Sequence, residues 1–427
     1  MDDWQRRSVL ATGAALSAGG IFASLGAGEP TSDGSRPQLD EPDGWSSYGG
    51  TAGNTRHNPS ISDFEKPETV AWQYDETGDA AVVDGRVYLR TGEEVHALDA
   101  DDGSRLWTCP HVHAAGTPAV TRDGVYVAGD QLTAIDADSG AVRWSETFGT
   151  DVSVSAPVVA FETVYVTVEG TLHAFDVVDG SRRWTCETVA VTSREDDSGT
   201  HTYVFSTRTG AIAAADGMIW ALLDKRRSGA AIDADALVAF DPVAGETLWS
   251  DHLEPGGSAT GLTVTETTSF LENSSEEDVT VFDTASKEEQ QHLSDALVTA
   301  VAGDRVVTRG RHRLKLSSPC GSWEKNGTYS YGAPAIAGET VVVAHSLNGS
   351  STADELVGYD LESGDEQWRF TFDESQWTDG FGVDCVVDGE TVYLNRDGGL
   401  TALCPSGRDT ANRTEKMDGT TATEEDC

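Results

Sequence analysis

The twelve residues from His96 to Trp107, HALDADDGSRLW, are one copy of a phrase that recurs along the chain. It returns as LTAIDADSGAVRW ending at Trp144, LHAFDVVDGSRRW at Trp184, LVAFDPVAGETLW at Trp249 and LVGYDLESGDEQW at Trp368. In every copy Asp and Trp stand eight residues apart: 99 and 107, 136 and 144, 176 and 184, 241 and 249, 360 and 368. A fixed period of this kind marks a repeat architecture, which has to be settled before any local motif is read.

Each position has a physical reason. The residues ahead of the Asp are apolar and rich in β-branched side chains, as at Val125, Val127, Leu132 and Ile135, and read as strands. Asp99, Asp136, Asp176, Asp241 and Asp360 sit where a short carboxylate accepts from N–H groups two residues on and starts a turn. The Gly that follows, at 103, 140, 180, 245 and 364, can take φ > 0 and close the hairpin. The Trp then falls on the next strand, where its ring can bury against a neighbouring unit. Truncation to Ala should cost about 3–5 kcal/mol if that burial is full.

The Asp-to-Trp spacing serves as a ruler for weaker copies. In VTVFDTASKEEQQ it puts Gln291 in the Trp slot opposite Asp283, and in RLKLSSPCGSW it puts Lys315 in the Asp slot opposite Trp323. These two units are degenerate and are expected to be the loosest packed. A last partial copy, VYLNRDGGLTALCPSG, has Cys404 in the Asp slot and no Trp, whereas ETVAWQYDE around Trp72 has a Trp and no unit. Joining them closes a ring. The outer-strand anchors are then Trp72, Trp107, Trp144, Trp184, Trp249, Gln291, Trp323 and Trp368, which gives eight units. The expectation is an all-β, eight-bladed β-propeller of four-stranded antiparallel blades, with the N-terminal strand completing the last blade. The wide gap between Trp184 and Trp249 carries an insertion, placed at residues 188–209 and again at 225–228; insertions in repeats gather on one face, often the binding face.

The repeat, with its docking tryptophans, resembles that of the pyrroloquinoline quinone (PQQ) dehydrogenase-like propellers of the quinoprotein type, over residues 45–407. Residues 45–58, WSSYGGTAGNTRHN, look like the lead-in to the first blade of such proteins. The resemblance implies a fold and not a chemistry, because the superfamily includes non-catalytic scaffolds. A working dehydrogenase of this kind uses an adjacent Cys-Cys disulfide, a Ca²⁺ site and a catalytic Asp. Here the cysteines stand at 109, 186, 320, 385, 404 and 427, no two adjacent, so no catalytic residue is carried over. The expectation is no cofactor, with PQQ and calcium as the alternative.

Net charge is −43, with 72 Asp and Glu against 29 Lys and Arg. Such a surface repels phosphate backbones and excludes nucleic acid as a partner. An acid excess suits concentrated salt, where the Debye length falls to about 3 Å at 1 M, and the composition resembles that of haloarchaeal proteins. Residues 1–28, with Arg6-Arg7 before a mild apolar run, resemble a twin-arginine export signal. Glycines interrupt the run, so it makes a poor transmembrane span. Residues 29–44 read as a flexible linker and residues 408–427 as a disordered acidic tail.

Other chemistry is sparse. Cys109, His111 and His113 alternate and would lie on one side of an extended segment, a candidate soft-metal site lacking a visible fourth ligand. Asp99-x-Asp101-x-Gly103 and its counterpart at 136–140 resemble the start of a calcium loop without its closing acid, so turn chemistry explains them better. Structural thiols, not a disulfide framework, account best for most cysteines. Sequons at Asn273, Asn326, Asn348 and Asn412 are glycosylation candidates on expected exposed loops. No phosphate loop, HExxH or Gly-x-Ser-x-Gly elbow occurs. The expected function is an exported, monomeric, non-catalytic scaffold that presents rim loops to a protein partner at the cell surface. The alternatives are a divergent PQQ-dependent dehydrogenase and a polysaccharide or small-ligand binder stacking Trp220, Trp377 or Phe381 in the axial funnel.

Overall fold

A computed structural model describes residues 37–192, 200–225, 236–253, 259–273, 277–310, 312–327, 329–347, 355–372, 384–396 and 398–406. Those residues form strands and turns with no helix, arranged as eight antiparallel sheets. From the inside outwards, blade 1 is Asp79–Val83, Arg86–Thr91, Glu94–Asp99 and Arg105–Cys109; blade 2 is Ala114–Val120, Gly124–Gly129, Gln131–Asp136 and Val142–Thr147. Blade 3 is Val158–Ala160, Thr163–Val168, Thr171–Asp176 and Arg182–Cys186; blade 4 is Ile212–Ala215, Met218–Lys225, Ala236–Phe240 and Thr247–His252. Blade 5 is Gly261–Val264, Thr268–Asn273, Asp278–Asp283 and Glu289–Ser294; blade 6 is Val298–Ala302, Arg305–Arg309, Arg313–Ser318 and Gly321–Asn326. Blade 7 is Ala335–Ala337, Thr340–Leu347, Glu355–Asp360 and Glu366–Thr371. Blade 8 is Val386–Asp388, Thr391–Arg396 and Gly399–Cys404, completed by Thr69–Tyr74 from the N-terminal side. In that closure Trp72 pairs with Ala402 and Tyr74 with Leu400, so the two ends of the ring share one sheet.

The repeated phrase builds one joint. Trp107, Trp144, Trp184 and Trp249 pair across the strand with Ala97, Ala134, Ala174 and Ala239, each beside a β-bulge; the small residue leaves room for the indole. The ring then crosses to the next blade. A Cβ on Gly103 would stand 2.6 Å from Trp72, and the same holds at 2.7 Å for Gly140 against Trp107, so the indole lies flat on the following blade's turn. Both glycines also have φ near +70°, a conformation that disfavours any Cβ. The indole Nε1 donates to the residue after the turn Asp: Trp72 to Ala100 O at 3.0 Å, Trp107 to Ala137 O at 3.0 Å, Trp144 to Val177 O at 3.1 Å, Trp184 to Pro242 O at 3.0 Å and Trp323 to Leu361 O at 3.1 Å. The turn Asp accepts as expected, Asp99 from Asp101 N at 2.8 Å and Asp360 from Ser363 N at 2.7 Å. Several docking rings are less buried than their size suggests: Trp72 and Trp368 are 7% and 6% exposed, but Trp107, Trp144, Trp184, Trp249 and Trp323 are only half-buried.

Two sequence expectations are corrected here. Trp323 pairs with Leu316, which places Ser318, not Lys315, in the slot of the turn Asp. Blade 6 turns through Pro319 and Cys320 alone, with Ser318 opposite Gly321, and has no bulge, so its hairpin is three residues shorter than the ruler assumed. The second half of the expected linker is also tied down: Leu39 packs on the core of blades 3 and 4, and Glu41 accepts a hydrogen bond from Ala52 N.

Candidate functional site

Strand direction gives the ring two faces. Turns joining the first to the second strand and the third to the fourth share a turn face; the remaining connections share a loop face. Each connection on the turn face is six residues or fewer, the longest being 241–246. On the loop face connection 148–157 is longer, and 187–211 includes an extra hairpin, Val189–Thr192 with Thr200–Phe205, that extends blade 4 through Tyr203 opposite Lys225; the strands that flank 226–235 and 373–383, which lie outside the described residues, also end on this face. Insertion has been confined to one side.

The ring axis is filled by the lead-in segment, residues 44–58. Gly44 and Trp45 pair with Val83 and Val82 of blade 1, and Ser46 O accepts from Val120 N of blade 2 at 2.8 Å. Ala52 O, Gly53 O, Thr55 O and Arg56 O each accept at 2.8 Å from Ala214, Val264, Val301 and Ile336, in blades 4 to 7. Asn58 Nδ2 donates to Val387 O of blade 8 at 3.0 Å. Asn54, with φ +58°, bridges two blades by donating to Ile212 O at 2.9 Å and Leu262 O at 3.0 Å. A Cβ on Gly53 would come within 2.2 Å of Val264 O, so the run of small residues lets the segment thread between the innermost strands.

Above it, toward the loop face, charged side chains converge. Arg56 is 6% exposed; its guanidinium lies 3.5 Å from Asp384 and 5.4 Å from the centre of the Tyr48 ring. Burial works against its charge, but Asp384, Tyr48 and Glu272 more than offset that and raise its pKa. Burial raises Glu272 against the pull of Arg56, while its Oε1 accepts from Thr299 N at 2.7 Å. Burial lowers Arg309 despite Asp384 and Glu272. Asp79 and Arg90 form an ion pair at the side of this cluster. The cavity left here, lined by Trp45, Tyr48, Arg56, Asp79, Thr117 and Asp384 among others, measures about 80 Å³.

The sequence-nominated residues do not assemble into a site. Cys109 is buried at the end of its strand, while His111 and His113 are exposed with φ +60° and +43°; the segment is not extended, and the three do not gather on one side. Among the described residues no group of three or more His, Cys, Asp or Glu side chains could hold a metal. Asn273 ends a strand and is 4% exposed, not on an exposed loop; Asn326 is exposed, and Asn348 and Asn412 lie outside the described residues. Trp220 is fully buried between blades 4 and 5, away from any funnel, and Trp377 and Phe381 lie outside the described residues. Residues 1–28 and 408–427 do so as well. Cys109, Cys186, Cys320 and Cys385 are free thiols. Sequence reasoning missed Tyr48, Arg56, Glu272, Arg309 and Asp384.

A family model described as outer membrane protein assembly factor BamB matches residues 91–222 and 233–425. The chain belongs to this family. It is a PQQ-like propeller, and its ring is similar to two quinohemoprotein alcohol dehydrogenases. For that of Comamonas testosteroni the TM-score is 0.56 at 14% identity over 84% of this chain and 80% of that one. For ADHIIG of Pseudomonas putida HK5 it is 0.58 at 15% identity over 85% and 80%. At these identities the likeness is one of fold. A curated relative, the serine/threonine-protein kinase AfsK of Streptomyces griseus, is 38% identical over 138 residues, 28% of this chain; the chain spans 17% of that protein's length. Among the described residues the axial cluster does not fit PQQ: ligand clefts run to about 300–1,000 Å³, whereas the cavity beside it is about 80 Å³ and the segment beneath it is bonded to the blades.

Proposed function

We propose that the chain is an exported, non-catalytic propeller of the cell envelope whose loop face binds a protein partner. The observation that carries this reading is the segregation of long connections to one face, over an axis filled by residues 44–58. A plugged axis leaves the rim as the working surface, and loops held by a rigid scaffold are where binding residues concentrate. The description of the matching family, an assembly factor of the outer membrane, supports a scaffold role. The acidic composition supports work in concentrated salt, and Arg6-Arg7 supports export by the twin-arginine route.

The test compares crosslinking in native envelopes for three forms of the chain. One has residues 226–235 replaced by a Gly-Ser run of equal length, one has 241–246 so replaced, and one is unaltered. Loss of a crosslinked partner with the first exchange alone is expected; equal recovery from all three sinks the loop face. Replacing Arg6 and Arg7 by Lys should hold the chain inside the cell. Purified protein given PQQ and Ca²⁺ in high salt should show neither an absorbance change nor dye reduction, and turnover would reinstate the dehydrogenase reading.

A further inference from the structure

Between blades 5 and 6 the indole joint is missing on both sides. Gln291 pairs with Val281, and Val281 with Phe270, so Gln291 occupies the Trp position above an aromatic that matches Tyr88, Tyr126 and Tyr165 beneath their indoles. On the facing blade the shortened turn provides no glycine platform, for a Cβ on Gly321 would meet nothing within 4 Å. What remains is a cleft of about 770 Å³, lined by Phe270, Val281, Gln291, Val306, Ser318 and Pro319 among others. Glu266 and Asp304, both exposed, stand in its wall, and among the described residues no Lys or Arg does.

We propose that this cleft docks a basic, tryptophan-bearing peptide segment of a partner protein, whose indole takes the place that this chain's own tryptophans take elsewhere in the ring. Four features select that occupant. The same molecule fills the equivalent space with an indole at five other interfaces, on the glycines at 103, 140, 180, 245 and 364. Pro319 follows the corrected turn start Ser318, so its carbonyl corresponds to the Ala100, Ala137, Val177, Pro242 and Leu361 carbonyls that accept from indole Nε1, and its ring offers a flat apolar wall. The volume falls in the range that holds ligands of several residues, where one side chain would leave most of it empty. The acidic wall complements cationic flanks, and buried aromatic anchors supply much of the affinity of such contacts. The cleft lies between blades 5 and 6 and is lined by turn-face residues such as Glu266, Asp304 and Pro319, so it is independent of the loop face.

The test titrates the full chain, in the salt that keeps it folded, with acetylated and amidated Arg-Trp-Arg, Arg-Ala-Arg and Glu-Trp-Glu. Arg-Trp-Arg is expected to bind at least about tenfold more tightly than the other two. A Val281→Ala/Gln291→Trp double variant, which supplies its own indole, should lose that binding and melt at a higher temperature. Should that variant fail to fold, Glu266→Lys/Asp304→Lys changes only exposed side chains and should weaken Arg-Trp-Arg by a similar factor. Equal affinity for the three peptides, no saturable binding, or affinity unchanged in the variants overturns the proposal. So does concentration-dependent self-association abolished by Gln291→Trp, which would assign the cleft to a second copy.

Discussion

Gly140→Ala separates the two jobs that the turn glycine performs. Its φ of +72° alone makes alanine cost about 1–2 kcal/mol, the penalty for a Cβ in the left-handed region. The new Cβ would also stand 2.7, 2.8 and 3.0 Å from Cδ2, Cε3 and Cγ of Trp107, closer than atoms pack, so the indole must lift away. Lifting breaks the 3.0 Å bond to Ala137 O, worth about 1 kcal/mol, and exposes part of a ring that is half-buried. The sum is about 3–4 kcal/mol. Gly85→Ala is the control: its φ is +73°, yet a Cβ there meets nothing within 4 Å, so only the backbone cost of about 1–2 kcal/mol is expected. Urea unfolding at constant salt measures both. In a Trp107→Ala background Gly140→Ala should fall to the control value, since the clash has gone. Equal costs for Gly140→Ala and Gly85→Ala, or a Gly140 cost that persists without Trp107, would refute the stacked-indole joint.

Three further outcomes follow from the axis and the core. Asn54→Ala leaves the buried carbonyls of Ile212 and Leu262 without its amide and replaces a residue that tolerates φ +58° by one that does so less readily, and should cost about 2–4 kcal/mol by urea midpoint; Asn54→Gly should recover the backbone part. Arg56→Met strands Glu272 and Asp384 and should cost about 2–3 kcal/mol, below the range for a fully buried pair because Asp384 is 53% exposed; circular-dichroism melting checks it. His345, 1% exposed, is pushed down to about 4 by burial and then by Arg369, from an ordinary 6.5. Protons therefore bind the unfolded chain first, and stability should drop by roughly 3 kcal/mol as pH falls from 6.5 to about 4. His345→Gln should flatten that slope, and an unchanged slope would remove His345 as its cause.

The ring was legible because its joint is local: strand, Asp turn, glycine and Trp lie within one short stretch, and each constrains the next. What crosses between blades was not. The glycine's role as a platform depends on a tryptophan one unit back, 33 residues away in the case of Gly140 and Trp107. The lead-in segment carries no period at all, since its carbonyls pair one by one with different innermost strands. Asn273 shows the limit of a sequon, which registers three residues and not the strand that buries the first of them.

The axial charges did leave a signal, and one misplaced register hid it. Arg90, Glu272 and Arg309 each pair with the residue that opens the innermost strand of its blade, respectively Asp79, Gly261 and Val298. With Ser318 in the turn slot, Arg309 precedes it by nine residues, as Arg90 precedes Asp99. With Lys315 in that slot the two arginines fall out of step by three, and a charge at the same point of two blades reads as two unrelated surface residues. The shortened turn of blade 6 therefore has two consequences with one cause: it removes the platform for an indole on one side of the blade, and it conceals the axial arginine on the other.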